Sequence, residues 1–361
     1  MRAVMLLLPF VGLLQADVIY SVTDLGSTGG SSTLALQINN SGTAVGYGET
    51  LSGDQGAFVS GGGSMQSLAG LPGSTDTYAY GINSSGTIVG VSYINGKAHG
   101  EIWNGGSTTD MGAGVYATGI NDAGVVVGGN GHAFAMVNGT YQDLGVLTGG
   151  NWSAAYGVNN AGTVVGYGNI GNGIFRGFVW TPADGMTQIG TFGGGNSYAM
   201  AVNDNGEVVG EASLSSGYAH AFTDVNGVMT DLGTLGGGSS YAYGINDSGT
   251  VVGYSWLASG DNPHAFVDIS GVMMDLNSLI PGGSGWELLG AYGINAWGQI
   301  VGEGLLNGQE HAFLLNPELS FSADALPVHA DPPVPEPGMA LFAAAGLGLL
   351  AFIRSRARHN P

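Results

Sequence analysis

Five of the seven histidines stand in one recurring context, four of them in His-Ala-Phe triplets: His132-Ala133-Phe134, His220-Ala221-Phe222, His264-Ala265-Phe266 and His311-Ala312-Phe313. The slot is varied to Gly56-Ala57-Phe58, His99-Gly100-Glu101 and Arg176-Gly177-Phe178. A catalytic base or metal ligand is needed once, in an asymmetric pocket. A histidine that recurs unit after unit reads instead as a packing or hydrogen-bonding residue, and two slots without it argue against a metal-binding ring. In an extended strand His and Phe two apart share one face, with Ala on the other. The acids that could form a glycosidase pair are Glu101, Glu207, Glu211 and Glu303; Glu211 and Glu303 occupy matching positions two units apart.

Other chemistry is weakly marked. Asn203-Asp204-Asn205-Gly206-Glu207 is the nearest approach to a calcium loop, but it lacks alternating ligands and a distal bidentate Glu, and its counterparts Ser84-Ser85 and Ala296-Trp297 could not ligate. Runs such as Gly193-Gly194-Gly195 and Gly236-Gly237-Gly238 precede no helix and no lysine, so they read as loops rather than phosphate cradles. The absence of cysteine excludes disulfides and thiolate chemistry. No catalytic constellation, metal site or cofactor site is expected.

The positions of these residues are set by a repeated phrase. Asn39, Asn83, Asn121, Asn159, Asn203, Asn246 and Asn295 each follow Ile or Val and precede a glycine three residues on. Their spacings are 44, 38, 38, 44, 43 and 49, a period in the range of β-propeller blades. The phrase predicts a hairpin in which Asn caps a type I turn and the glycine (Gly42, Gly86, Gly124, Gly162, Gly206, Gly249 or Gly298) takes a left-handed conformation. Each unit offers four short β-rich runs; in the sixth these are Tyr241 to Ile245, Thr250 to Ser255, His264 to Asp268 and Val272 to Leu276. The seventh lacks its fourth, and Tyr20 to Gly26 resembles the missing phrase. The expected fold is therefore all-β: a seven-bladed β-propeller of four-stranded repeats over residues 17–316, closed by the N-terminal strand. The connections between second and third strands vary most and are the expected binding face, with Tyr93, Tyr218 and Trp256 on it.

The ends are of another kind. Residues 1–16 have a basic start at Arg2 and a short apolar run, the form of a signal peptide, with cleavage expected between Ala16 and Asp17. A Pro-containing linker covers 317–333. Residues 334–361 then hold Val334-Pro335-Glu336-Pro337-Gly338, an apolar stretch 339–353 and Arg354, Arg356 and Arg358. The stretch is predicted to be a short transmembrane helix whose flanking arginines place the body outside the cytoplasm. Between the leader and the last eight residues only Lys97 and Arg176 balance 26 acids, a net of 2 − 26 = −24. Such a body repels phosphate backbones and excludes nucleic acid as a partner.

The tail resembles the PEP-CTERM sorting signal through the order of its three parts. That resemblance implies an exosortase partner acting near Pro335-Glu336-Pro337 and a Gram-negative, exopolysaccharide-producing host. It also implies membrane attachment before processing and a cell-surface or extracellular location after it. The body resembles the extracellular HAF-repeat family through its His-Ala-Phe triplets and the phrase Asp231 to Gly237; that family carries no established activity or ligand. Together these imply a non-catalytic binding or scaffold protein associated with exopolysaccharide or envelope glycan. A polysaccharide-degrading propeller, hydrolase or lyase, is the alternative.

Overall fold

A computed structural model describes residues 17–62, 64–260 and 262–320. The leader, the linker from 321 on, the sorting motif, the apolar stretch and the three arginines lie outside them. Seven antiparallel four-stranded sheets follow one another along the chain. Their innermost strands are Gly29–Ile38, Ser74–Ile82, Tyr116–Ile120, Ser153–Val158, Gly193–Val202, Gly236–Ile245 and Trp286–Ile294. Each of these touches the innermost strand of the next blade, and that of blade 7 touches that of blade 1. The result is a closed seven-bladed β-propeller. In blade 7 the outer place is taken by Asp17–Gly26, beside Gln309–Ser320, so the first strand completes the last blade. Among the described residues the only helical turn is the 3-10 segment Leu276–Ser278, and no helix is long and apolar enough to cross a membrane.

Seven apolar clusters hold the ring, one at each seam between blades. The Val-Val-Gly phrase of the second strands, varied to Ala-Val-Gly in blade 1 and Ile-Val-Gly in blades 2 and 7, supplies them. The first residue packs with one neighbouring blade and the second with the other, as Val251 and Val252 do. The glycine is required by a close approach: a Cβ at Gly253 would lie 1.9 Å from the Tyr241 carbonyl oxygen, where a bulge brings the inner strand across. Phe58, Phe134, Phe178, Phe222, Phe266 and Phe313 fill one equivalent, fully buried slot. In blade 2 that slot holds Glu101, also fully buried.

The hairpin glycines all have φ between +77° and +83°, and each donates its N–H to the Asn carbonyl three residues earlier, as Gly249 does to Asn246 at 3.0 Å. The asparagines do more than cap their own turns. Each amide Nδ2 donates to the carbonyl of the next blade's Asn: Asn39 to Asn83, Asn83 to Asn121, Asn121 to Asn159, Asn159 to Asn203, Asn203 to Asn246, Asn246 to Asn295, and Asn295 back to Asn39. These seven bonds, 2.9–3.2 Å long, form an unbroken circle around one end of the central channel.

Candidate functional site at the tyrosine-lined mouth

The histidines join strands within a blade. Nδ1 of His99, His132, His220, His264 and His311 lies 2.7–3.2 Å from a carboxylate oxygen of Asp110, Asp143, Asp231, Asp275 and Asp24 on the adjacent outer strand. Four of these aspartates also accept the N–H of a glycine two residues on, as Asp231 does from Gly233. The two blades without His lack the partner as well: Gly56 goes with Ser67 and Arg176 with Gln188 at the equivalent register. In blade 7 the pair joins residues 287 apart, pinning the two ends of the ring.

The acidic turns are likewise occupied by the frame. Asp204 accepts the N–H of Asn160 through Oδ1 and its amide through Oδ2, and Asn203 Oδ1 accepts the N–H groups of Asn205 and Glu207. Equivalent bonds run from Ser84 to Asp122 and from Asp204 to Asp247. Among the described residues no group of three or more His, Asp or Glu side chains is placed to hold a metal ion.

At the channel end opposite the asparagine circle is a cavity of about 730 Å³. Its deepest layer is the residue after the buried Ala of each inner strand: Leu36, Tyr80, Thr118, Tyr156, Met200, Tyr243 and Tyr292. Behind it stands a second layer, the residue after the frame glycine of each second strand, of which only Tyr47 and Gly129 line the cavity itself. This layer reads Tyr47, Val91, Gly129, Tyr167, Glu211, Tyr254 and Glu303 around the ring. The ring makes neighbours of residues about 40 apart in sequence. The lining is aromatic and asymmetric: Tyr47 meets Tyr78 edge-on at 4.7 Å, Tyr156 stacks on Tyr167 at 5.0 Å, and Tyr243 meets Tyr292 at 5.3 Å.

Glu211 and Glu303 fall in this layer on either side of blade 6, with Tyr254 between them in the ring. Burial pushes the Glu211 carboxyl up to about 7. Burial also raises Glu303 to about 7 against the opposing hydrogen bond from the Tyr292 hydroxyl at 2.5 Å, and the Glu310 charge adds to the rise. Both carboxylates in turn hold the Tyr254 hydroxyl above its ordinary value, after burial itself. A carboxyl near 7 beside a phenol can donate or accept a hydrogen bond at neutral pH. Glu207 instead sits at the far, hairpin end, and Glu101 is enclosed in the core.

The variable connections contribute less than their sequence suggests. Tyr218 and Trp256 are exposed, whereas Tyr93 joins the tyrosine cluster against Tyr78 and Tyr116. The inner strands supply most of the cavity. Their signal in the sequence is the alternation around the buried Ala, as in Tyr78-Ala79-Tyr80 and Tyr241-Ala242-Tyr243.

No known protein family and no curated protein matches this sequence. Among solved structures the chain is similar to the β-propeller domain of the Trilobed protease from Pyrococcus furiosus, with 10% identity over 84% of this chain and 100% of that one and a TM-score of 0.50. It is also similar to a puromycin-hydrolyzing peptidase of Mycobacterium tuberculosis, with 11% identity, 76% of this chain covered and a TM-score of 0.51; the match spans 49% of that chain. A gluconolactonase from Xanthomonas campestris matches at 11% identity over 67% of this chain and 86% of that one, with a TM-score of 0.41. At these identities the likeness is one of fold, and the Trilobed protease domain is itself a β-propeller.

Proposed function

We propose that this chain is an exported, exosortase-sorted surface protein whose propeller binds an extracellular glycan at the tyrosine-lined mouth without turning it over. The observation that carries the reading is the asymmetric aromatic cavity. Seven repeats alike in their frame differ where they face the channel, and tyrosine presents an apolar face for a sugar ring beside a hydroxyl for its oxygens. A net charge of −24 over residues 3–353 disfavours polyanionic ligands. The Val334-Pro335-Glu336-Pro337-Gly338 tail supports membrane holding followed by release at the cell surface. A glycan array on the secreted protein, paired with a reducing-sugar release assay, tests the binding reading. Binding without sugar release is expected, and absence of binding across the array would overturn it.

A second reading, polysaccharide hydrolysis or elimination, is favoured by one observation: two carboxyls raised to about 7 flank blade 6 in the layer behind the tyrosine lining. Such a pair can divide general acid and base roles. Sugar release that disappears in Glu211→Gln or Glu303→Gln would establish this reading in place of the first.

A further inference from the structure

The wall of the mouth is not of even height. The second strands of blades 1, 2, 5, 6 and 7 have 7 residues, but that of blade 3, Val126–Gly129, has 4. All begin at the same hairpin, so the three missing residues are lost at the mouth, lowering the rim by about 10 Å at ~3.4 Å per residue. The floor of this gap is Gly129 and Gly131, and the cavity extends outward to both. The other blades line it through their inner strands, apart from Tyr47 on the second strand of blade 1, and blade 4 adds Trp152 and Ala154 beside the gap. His132 behind the gap has a side chain 43% exposed against 19–20% for its four counterparts.

Aromatic rings stand on both sides. Tyr116, 43% exposed, meets Tyr93 at 6.5 Å on the blade 2 side. On the blade 4 side a second hollow of about 390 Å³ is lined by Trp152, Tyr167, Asn169, Phe175 and Tyr198. Trp152 belongs to both cavities. Ring centroids in this group are 4.8–6.2 Å apart, the spacing of rings in direct contact. No ligand group fits between them. They form a surface on which a flat apolar face can lie, which suits a sugar ring better than an enclosed cation.

We propose that the mouth is an open groove rather than a closed cup, and that its ligand is a linear polysaccharide chain bound through internal units. The chain would enter the tyrosine-lined cavity, leave over Gly129 and Gly131, and lie across Trp152, Tyr167, Phe175 and Tyr198. Carboxylate, sulfate and phosphate groups on the chain are disfavoured by the net charge of −24 and by Glu303, which lies behind the wall on the Tyr292 hydroxyl; Arg176 fills the histidine slot of blade 4. This rests on the glycan reading above, and its test separates the two.

Oligomer ladders from dimer to decamer of β-1,4-linked glucose, β-1,4-linked N-acetylglucosamine and α-1,6-linked mannose are titrated into the full secreted protein. The groove predicts affinity rising roughly tenfold or more between dimer and hexamer for the ladder that binds. Phe175→Ala, on the outer platform, removes that rise, whereas Tyr80→Ala, in the cavity, weakens dimer and hexamer alike. A Gly-Ser-Gly-Ser insertion between Asn130 and Gly131 rebuilds the rim without removing a ring, and it abolishes the same rise should Phe175→Ala fail to fold. Dimers that bind as tightly as decamers, or a full length dependence in the rim insertion, would overturn the groove and leave the glycan reading intact. Failure of every ladder to bind would overturn both.

Discussion

Glu101 carries a pH dependence that can be worked out from its surroundings. It fills the slot held by phenylalanine in the six other blades and is fully buried. One carboxylate oxygen takes a short hydrogen bond from the Ser92 hydroxyl, and the other has no partner. Burial raises its pKa from 4.5 to about 7, against the lowering effect of the bonds from Ser92 and the Leu71 N–H. The folded protein therefore holds this proton up to about pH 7, while the unfolded chain releases it near 4.5. Between those values the folded state binds more protons, so stability falls as pH rises and the loss is complete above about 7. At 1.36 kcal/mol per pKa unit the loss is on the order of 3 kcal/mol.

Glu101→Gln keeps the shape and removes the ionisation. Its melting temperature should match that of the parent at pH 4 and exceed it by about 5 °C at pH 8, taking roughly one to two degrees per kcal/mol for a domain of this size. Glu211 and Glu303 titrate in the same direction, but they are common to both proteins and cancel in the difference. Paired calorimetric scans at pH 4, 6 and 8 measure that difference directly. A gap of the same size at pH 4 and 8, or a variant less stable at pH 8, would refute the assignment of a buried, proton-holding carboxyl.

The asparagine circle predicts that Asn121→Ala and Asn295→Ala cost about 1–3 kcal/mol each in denaturant titrations, since each removes a bond to a neighbour's carbonyl and leaves a turn N–H unpaired; a harmless Asn295→Ala beside a damaging Asn121→Ala would mean that the ring does not close there. Gly249→Val should cost about 1–2 kcal/mol, because its φ of +77° is strained for a branched residue, and an unchanged melting temperature would contradict the turn. The clasp between His311 and Asp24 bridges the chain ends. Asp24→Ala should therefore speed amide exchange across Asp17–Gly26 by mass spectrometry while Asp231→Ala speeds it only in blade 5, and equal protection in both would remove the closure role.

The frame of this molecule was legible because its physics is local and repeated. A left-handed glycine after Asn, a Val-Val pair and a buried Phe recur with a strand's alternation, so counting them yields four strands, seven blades and a missing outer strand that Tyr20 to Gly26 can fill. Contacts between blades were hidden for the same reason. An Asn that caps its own hairpin looks complete in the sequence, and nothing local marks the second bond it donates to a residue 38 to 49 positions on. The His and Asp of four of the five clasps are only 11 apart, yet the pairing shows only once both are seen to vanish together, at Gly56 with Ser67 and at Arg176 with Gln188. The mouth was hardest to see because function there is written as departure from the repeat. Glu211 and Glu303 are single substitutions in a slot that is Tyr in three other blades. Gly129 and the short connection after it look like a degenerate unit until the ring sets them beside Trp152. In a closed array of equivalent frames, the positions that break the pattern while facing the axis are the ones free to specify a ligand, and in this chain they converge on one mouth and one low rim.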